Sequence, residues 1–346
     1  MTALLNLALI GYGYASKTFH APLIASVVGL NLVAVVSGDA GKVHADHPLV
    51  HVCASSDELL RLAGIDAVVI ATPNHTHFEI ARQALLAGKH VVVDKPLTVT
   101  AAQARELKDL AHDRSLILSA FHNRRWDADF LTLRALIASG QLGELQSLES
   151  SFDRYRPEVR PRWREQAGEG AGLWYDLGPH LLDQALQLFG RPVSIEAVLE
   201  QQRPGAAAVD AFHVLLRYAH LQVRLNAGML VKDETPRYVL KGRAGSYTKY
   251  GLDTQEAALK AGELPTGANW GHDPRHGVMQ MNEGGASRIV PTINGDYRQF
   301  YSEFRDAILL GTGNPVSPDD AIINMELIEL VCKYPMPNQF FDISKA

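Results

Sequence analysis

Over the first third of the chain, short, mainly apolar runs alternate with stretches in which apolar residues recur every three or four positions. Residues 5–10, 32–36, 67–71, 91–93 and 116–120 form the runs, interrupted only by Asn6 and Ser119. Runs this short and this continuous mark strands buried on both faces of a parallel sheet. Between two of them, Ile80, Ala84, Leu85 and Leu86 fall at helical spacing, and Gly88 ends that helix. Pro73 stops the run before it, because proline cannot sit in a central strand. A helix over 56–63 and another from Thr100, with Gln103 at capping-box spacing, complete the alternation. The pattern predicts a six-stranded, doubly wound sheet whose βαβ crossovers are right-handed, ending at residue 121.

The pattern then changes. A helix over 127–138 is followed by strand-like runs at 145–153, 195–200, 211–218, 221–227 and 238–241, separated by turns such as Arg203-Pro-Gly and Gly242-Arg-Ala-Gly. A helix ending at Gly190 lies among them. Residues 253–292, rich in Gly, Asn, Asp, Pro and His, read as long loops, and helices over 297–310 and 318–332 close the chain. The prediction is an α/β protein of two domains. Residues 1–121 form a dinucleotide-binding sheet, and residues 122–346 form an α+β domain with a large, mainly antiparallel sheet for substrate binding and oligomerisation.

A length of 346 residues is more than one core usually supports. With 47% hydrophobic and 21% charged residues, the composition is that of an ordinary globular protein. A net charge of −5 argues against a nucleic-acid surface, and no apolar run reaches a membrane span. Cys53 and Cys332 match no metal-ligand spacing and suggest a reducing cytoplasm. The expected partners are therefore a small molecule and further copies of the chain, as a dimer or larger homo-oligomer, with no nucleic acid, membrane or metal.

Candidate chemistry sits at the carboxyl ends of the predicted strands, where ligands bind open α/β sheets. Gly11-Tyr12-Gly13-Tyr14-Ala15-Ser16 follows the first strand and opens a helix. Gly11 allows a tight turn, Gly13 lets a pyrophosphate approach the backbone, and Ser16 is small enough for helix–strand packing. The helix N-terminus adds amides and partial positive charge. After the second strand, Ser37 stands where a ribose-binding acid is usual, and Lys42 follows, a pairing that leans towards NADP over NAD. The other reading has Asp39 on the ribose and Lys42 merely solvated. Thr72-Pro73-Asn74, with His77, and Asp94-Lys95-Pro96 leave two central strands. Asp176 and His180 lie four apart and share a helix face.

Taken together, Gly11-Tyr-Gly-Tyr-Ala-Ser, Ala71-Thr-Pro-Asn74 with His77, Asp94-Lys95-Pro96 and Asp176-Leu-Gly-Pro-His180 resemble the Gfo/Idh/MocA oxidoreductases. The opening through Phe-His20-Ala-Pro22 looks most like bacterial scyllo-inositol dehydrogenases. Asp94 departs from the family's usual Glu but keeps the carboxylate. The resemblance implies an NAD(P)-dependent dehydrogenase acting on a secondary alcohol of a polyol or sugar. It places Lys95, His180 and Asp176 in the chemistry, and the two loops and Asp94 at the cofactor. Tyr12, Asn123, Arg125 and Trp163 are weaker candidates for substrate or nicotinamide contact. Two other readings stay open: a non-catalytic NADP-binding sensor, and a redox-neutral sugar-modifying enzyme. Loss of Lys95 or His180 would favour the sensor, and both are present.

Overall fold

The computed structural model describes residues 4–282, 287–333 and 341–342. It divides into two compact units, each built from three stretches of chain: 1–126, 255–270 and 296–325 in the first, and 127–254, 271–295 and 326–346 in the second.

The first unit carries β1 (Leu5–Ile10), α1 (Ala21–Ala25), β2 (Leu30–Val36), α2 (Ala40–Asp46), β3 (His51–Cys53), α3 (Ser56–Leu60), β4 (Ala67–Ile70), α4 (His77–Leu86), β5 (His90–Asp94), α5 (Ala101–Asp113) and β6 (Leu118–Phe121). Its strands pair in parallel in the order β3-β2-β1-β4-β5-β6. This is the doubly wound order with a switch point between β1 and β4. All four residues of β4 are buried, as an unbroken apolar run requires, and so are all four of β6, Ser119 included. Thr100 caps α5 by accepting the Gln103 amide at 3.2 Å. The Gln103 side chain does not reciprocate: its Oε1 is buried without a partner, so only half of the predicted capping box forms.

The second unit carries α6 (Ala128–Ala138), β7 (Leu145–Ser151), α7 (Gly172–Phe189), β8 (Ser194–Glu200), β9 (Ala211–Arg217), β10 (Gln222–Gly228), β11 (Pro236–Gly242) and β12 (Gly245–Tyr250). After α8 (Gln255–Lys260), which belongs to the first unit, come β13 (Gly277–Met281) and β14 (Ser287–Val290). Then follow α9 (Arg298–Leu310), which belongs to the first unit, α10 (Pro318–Lys333), which starts in the first unit and ends in the second, and β15 (Phe341–Asp342). Nine strands form one sheet in the order β14-β13-β12-β11-β7-β10-β9-β8-β15. Every pair in it is antiparallel except β7 with β10. On β9 and β10, Phe212, Val214, Leu216, Val223 and Leu225 are buried, while outward residues pair as Arg217–Glu196 and Arg224–Glu149.

Two expectations need correction. Residues 253–292 are not loops: they hold α8, β13 and β14, with 283–286 outside the described residues. β13 and β14 escaped notice because they are short and set among turn formers, and β14 is exposed along most of its length. β12 was also missed, its run Gly-Ser-Tyr-Thr-Lys-Tyr being mostly polar. Each compact unit also takes in later segments of the chain. Trp270, Tyr297, Phe300, Tyr301 and Phe304 lie in the hydrophobic core of the parallel sheet, so late segments complete the early domain.

Candidate functional site

In the first unit, the ends of β1, β2, β4 and β5 bring most of the predicted residues to one edge of the sheet. Gly11 has φ +93°, and a Cβ there would lie 2.9 Å from the Ala71 carbonyl oxygen, so only glycine fits the turn. A Cβ on Gly13 would meet nothing, leaving the backbone open to a large anion. Ser16 is fully buried and donates to the Gly11 carbonyl at 2.6 Å, tying the helical start to the turn in the place of a third glycine. Residues Ser16–His20 form a π-helical turn ahead of α1. Open backbone at Gly13 and a helical start behind it fit the pyrophosphate of a dinucleotide.

After β2, Ser37 accepts the Asp39 amide, and the Asp39 carboxylate accepts the Lys42 amide at 2.9 Å, capping α2. Asp39 is thus held at the helix start. Lys42 is not merely solvated: its ammonium donates to the Tyr12 carbonyl at 3.0 Å and lies 5.9 Å from the Tyr12 ring. Tyr12, expected at the substrate or nicotinamide, instead turns to α2. Its ring packs on His47, and its hydroxyl donates to Asp46 at 2.9 Å. Burial and Asp46 both raise the Tyr12 pKa. Lys17, not singled out from sequence, pairs with Asp46 at 2.8 Å and holds that carboxyl below its ordinary range.

The β4 and β5 loops are clasped together. His77 is fully buried, with Nδ1 2.9 Å from the Pro96 carbonyl and Nε2 2.9 Å from the Thr72 carbonyl. Its ring therefore lies between the two loops, with one carbonyl at each nitrogen. Thr72 and Thr76 hydroxyls meet at 2.6 Å beside an exposed Pro73, and Asn74 is buried. Asp94 accepts the Lys95 amide at 2.9 Å, the Lys95–Pro96 peptide is cis, and Lys95 is only 8% exposed. A lysine at a strand end is usually solvated, so its burial here is the least ordinary feature of this edge.

Tyr14 stands exposed at the glycine turn, beside Ala15. Its hydroxyl lies 3.4 Å from Glu256, and the Lys260 ammonium lies 5.7 Å from its ring. Glu256 also takes Arg124 at 2.6 Å and Lys260 at 2.5 Å. Burial would raise its pKa, but Arg124 and Lys260 outweigh burial and hold it down to about 2. Sequence reading missed this cluster because α8 lay inside the supposed loops. Arg125, a substrate candidate, bonds the Pro315 carbonyl and Asp320 through its guanidinium. Asn123, on the same short helical turn after β6, is buried.

In the second unit, Asp176 and His180 lie one turn apart on α7, with His180 buried and Asp176 partly exposed. Close packing fixes this helix. A Cβ on Gly178 would fall 2.6 Å from the Trp174 ring, and Trp174 donates to the Ile328 carbonyl at 3.2 Å. Arg164 faces Asp176 at 3.4 Å while its guanidinium lies 4.5 Å over the Trp163 ring, bringing Trp163 to Asp176's neighbourhood. Behind that loop, buried Arg203 pairs with Asp210 at 2.9 Å and Glu165 at 3.0 Å and donates to the Glu158 carbonyl. Burial alone would raise the Glu165 pKa; the Arg160 amide, Arg162 and Arg203 lower it. Neither Arg164 nor Arg203 has a sequence signal beyond an arginine-rich stretch and a turn. Among the described residues, no helix is long and apolar enough to cross a membrane.

Comparison with known proteins matches residues 5–122 to the family description "Oxidoreductase family, NAD-binding Rossmann fold" and residues 134–334 to "Oxidoreductase family, C-terminal alpha/beta domain". The chain is 53% identical to the uncharacterized oxidoreductase YdgJ of Escherichia coli, covering 94% of this chain and 95% of that one. It is 37% identical to the scyllo-inositol 2-dehydrogenase (NADP(+)) IolW of Bacillus subtilis, covering 94% and 92%. The solved structure of the YPO2259 oxidoreductase from Yersinia pestis is 51% identical, with a TM-score of 0.93 over 97% of this chain and 96% of that one.

Proposed function

The chain belongs to the Gfo/Idh/MocA oxidoreductase family, and on that premise we propose that it is a dehydrogenase for a secondary alcohol of a polyol or sugar, an inositol-like substrate foremost, with NADP preferred to NAD. The observation that carries the reading is Lys95, a buried lysine at the end of β5 in the same unit as a glycine turn open at Gly13. The inositol and NADP elements draw support from IolW, whose name carries both. They also draw support from Ser37 standing where a ribose-binding acid is usual, with Lys42 shortly after it.

The cofactor's nicotinamide, when bound, supplies or accepts the hydride. The backbone at Gly13 and the start of the helix hold the pyrophosphate. Lys95 donates to the substrate oxygen and stabilises negative charge as it develops there. His180 exchanges the carbinol proton, since an imidazole titrates near neutral pH. Asp176, carrying Arg164, positions substrate hydroxyls beside it. Lys95 as the proton acceptor, with His180 orienting substrate, is the second arrangement of the same groups.

The test is a screen of scyllo-inositol, other polyols and keto-sugars with NADP and NAD, followed through the absorbance of the reduced nicotinamide. Turnover should fall about 10²- to 10⁴-fold in Lys95→Ala and in His180→Ala while NADP still binds. The pH profile of kcat/KM in each variant assigns the proton acceptor. Near-normal turnover in both variants overturns the site, and cofactor binding without any redox turnover across the screen favours the sensor reading.

A further inference from the structure

Beneath the Lys95 turn lies a buried polar pair that the chemistry above does not use. His20 closes the π-helical turn after the glycine loop, and Tyr301 lies on α9, nearly three hundred residues later. Neither is exposed to any extent, and the His20 Nδ1 lies 2.6 Å from the Tyr301 hydroxyl. The other ring nitrogen, Nε2, is buried with no hydrogen-bond partner. A pair like this costs stability unless something is gained by it, because an unmade bond in a dry interior is expensive. A single π-turn inside a helix is itself a frequent companion of functional sites.

The surroundings connect the pair to the lysine. The His20 ring packs at a tilt against Phe121 with centroids 4.4 Å apart, and the Tyr301 and Phe300 rings close around the same phenylalanine at 5.9 and 4.8 Å. Phe121 is the registered neighbour of Asp94 across β5 and β6. Asp94 in turn carries the Lys95 amide. We propose that His20 and Tyr301 are positioning residues that set the Phe121 ring and, through its neighbour Asp94, fix the place of Lys95.

Electrostatics agree with that placement. Burial drops the His20 pKa to about 4 against a partial offset from Asp94, and burial with Asp94 raises that of Tyr301. Both groups are thus neutral around pH 7, and the pair presents fixed dipoles, not charge, to the aspartate. Neither residue touches substrate in this account. The inference rests on the proposed role of Lys95.

The decisive experiment removes one oxygen. Tyr301→Phe keeps the ring and deletes the hydroxyl that His20 binds. In protein labelled with [ε-13C]lysine, with the Lys95 resonance assigned through Lys95→Arg, Tyr301→Phe is expected to shift that resonance. With scyllo-inositol and NADP it should lower kcat about ten- to a hundred-fold, the scale of a misplaced catalytic group, and leave the Kd for NADP unchanged. In a Lys95→Ala background the same substitution should cost nothing further. His20→Asn, which retains a group near Nδ1 and loses Nε2, serves as a second probe with the same readouts. An unmoved Lys95 resonance in both variants, or an equal loss of kcat with and without Lys95, overturns the proposal. Full turnover in Lys95→Ala would instead overturn the catalytic reading, and the resonance would still decide the coupling.

Discussion

Replacing Glu256 by glutamine tests how far the α8 cluster stabilises the first unit. The carboxylate is four-fifths buried and touches Arg124, itself 8% exposed along its side chain, at 2.6 Å and Lys260 at 2.5 Å. Its pKa falls from an ordinary 4.5 to about 2. At about 1.4 kcal/mol per pH unit, the folded state gains about 3 kcal/mol from its ionised form. The folded pKa is depressed, so this stability is fully present above pH 4.5 and is lost as pH falls towards 2. At pH 3, less than half of it should remain. Urea unfolding of the wild type and Glu256→Gln, followed by tryptophan fluorescence at pH 7 and pH 3, should therefore show a gap that shrinks by more than half. Other acidic groups titrate in both proteins and cancel in the difference. Salt should trim only the Lys260 part, because that side chain is 45% exposed. A gap of equal size at both pH values, or no gap at pH 7, refutes the reasoning.

Three further outcomes are expected. Lys42→Ala should raise KM for NADP about tenfold while sparing NAD, as one charge-assisted contact is worth about 1.5–3 kcal/mol; equal effects on both cofactors would remove Lys42 from the phosphate. Gly178→Ala should destabilise the second unit by about 1–3 kcal/mol, seen as a lowered Tm, because its methyl group would intrude on the Trp174 ring; an unchanged Tm means that ring moves freely. Light scattering at micromolar concentration should give a dimer or larger, built on the outward face of β8–β10; a monomer would leave Leu215 and the ion pairs there simply solvated.

What could be read from sequence follows from physics that acts locally. The parallel sheet was legible because strands buried on both faces must be continuously apolar, and the glycine turn because Gly11 adopts a backbone that side chains resist. The Asp176–His180 face was legible because helical spacing is fixed. Long-range pairing leaves no such trace. Tyr12 looked free until its hydroxyl was found on Asp46, and Arg125 until its guanidinium was found on Asp320. His77 carries a recognisable motif position, but nothing local showed that its ring would lie between carbonyls nineteen and five residues away. β13 and β14 were hidden for the opposite reason: short, partly exposed strands need little apolar sequence.

The interleaving of the two units has a consequence for synthesis. The chain passes between them five times, at 126/127, 254/255, 270/271, 295/296 and 325/326. The parallel sheet is complete by residue 121, but Phe300, Tyr301 and Phe304, which fill its core, leave the ribosome nearly two hundred residues later. At about 5–20 residues per second, that apolar face stands uncovered for on the order of ten seconds or more. The first domain to be made is thus among the last to be finished, and a fragment stopped at residue 126, which never gains α9, should remain a chaperone client.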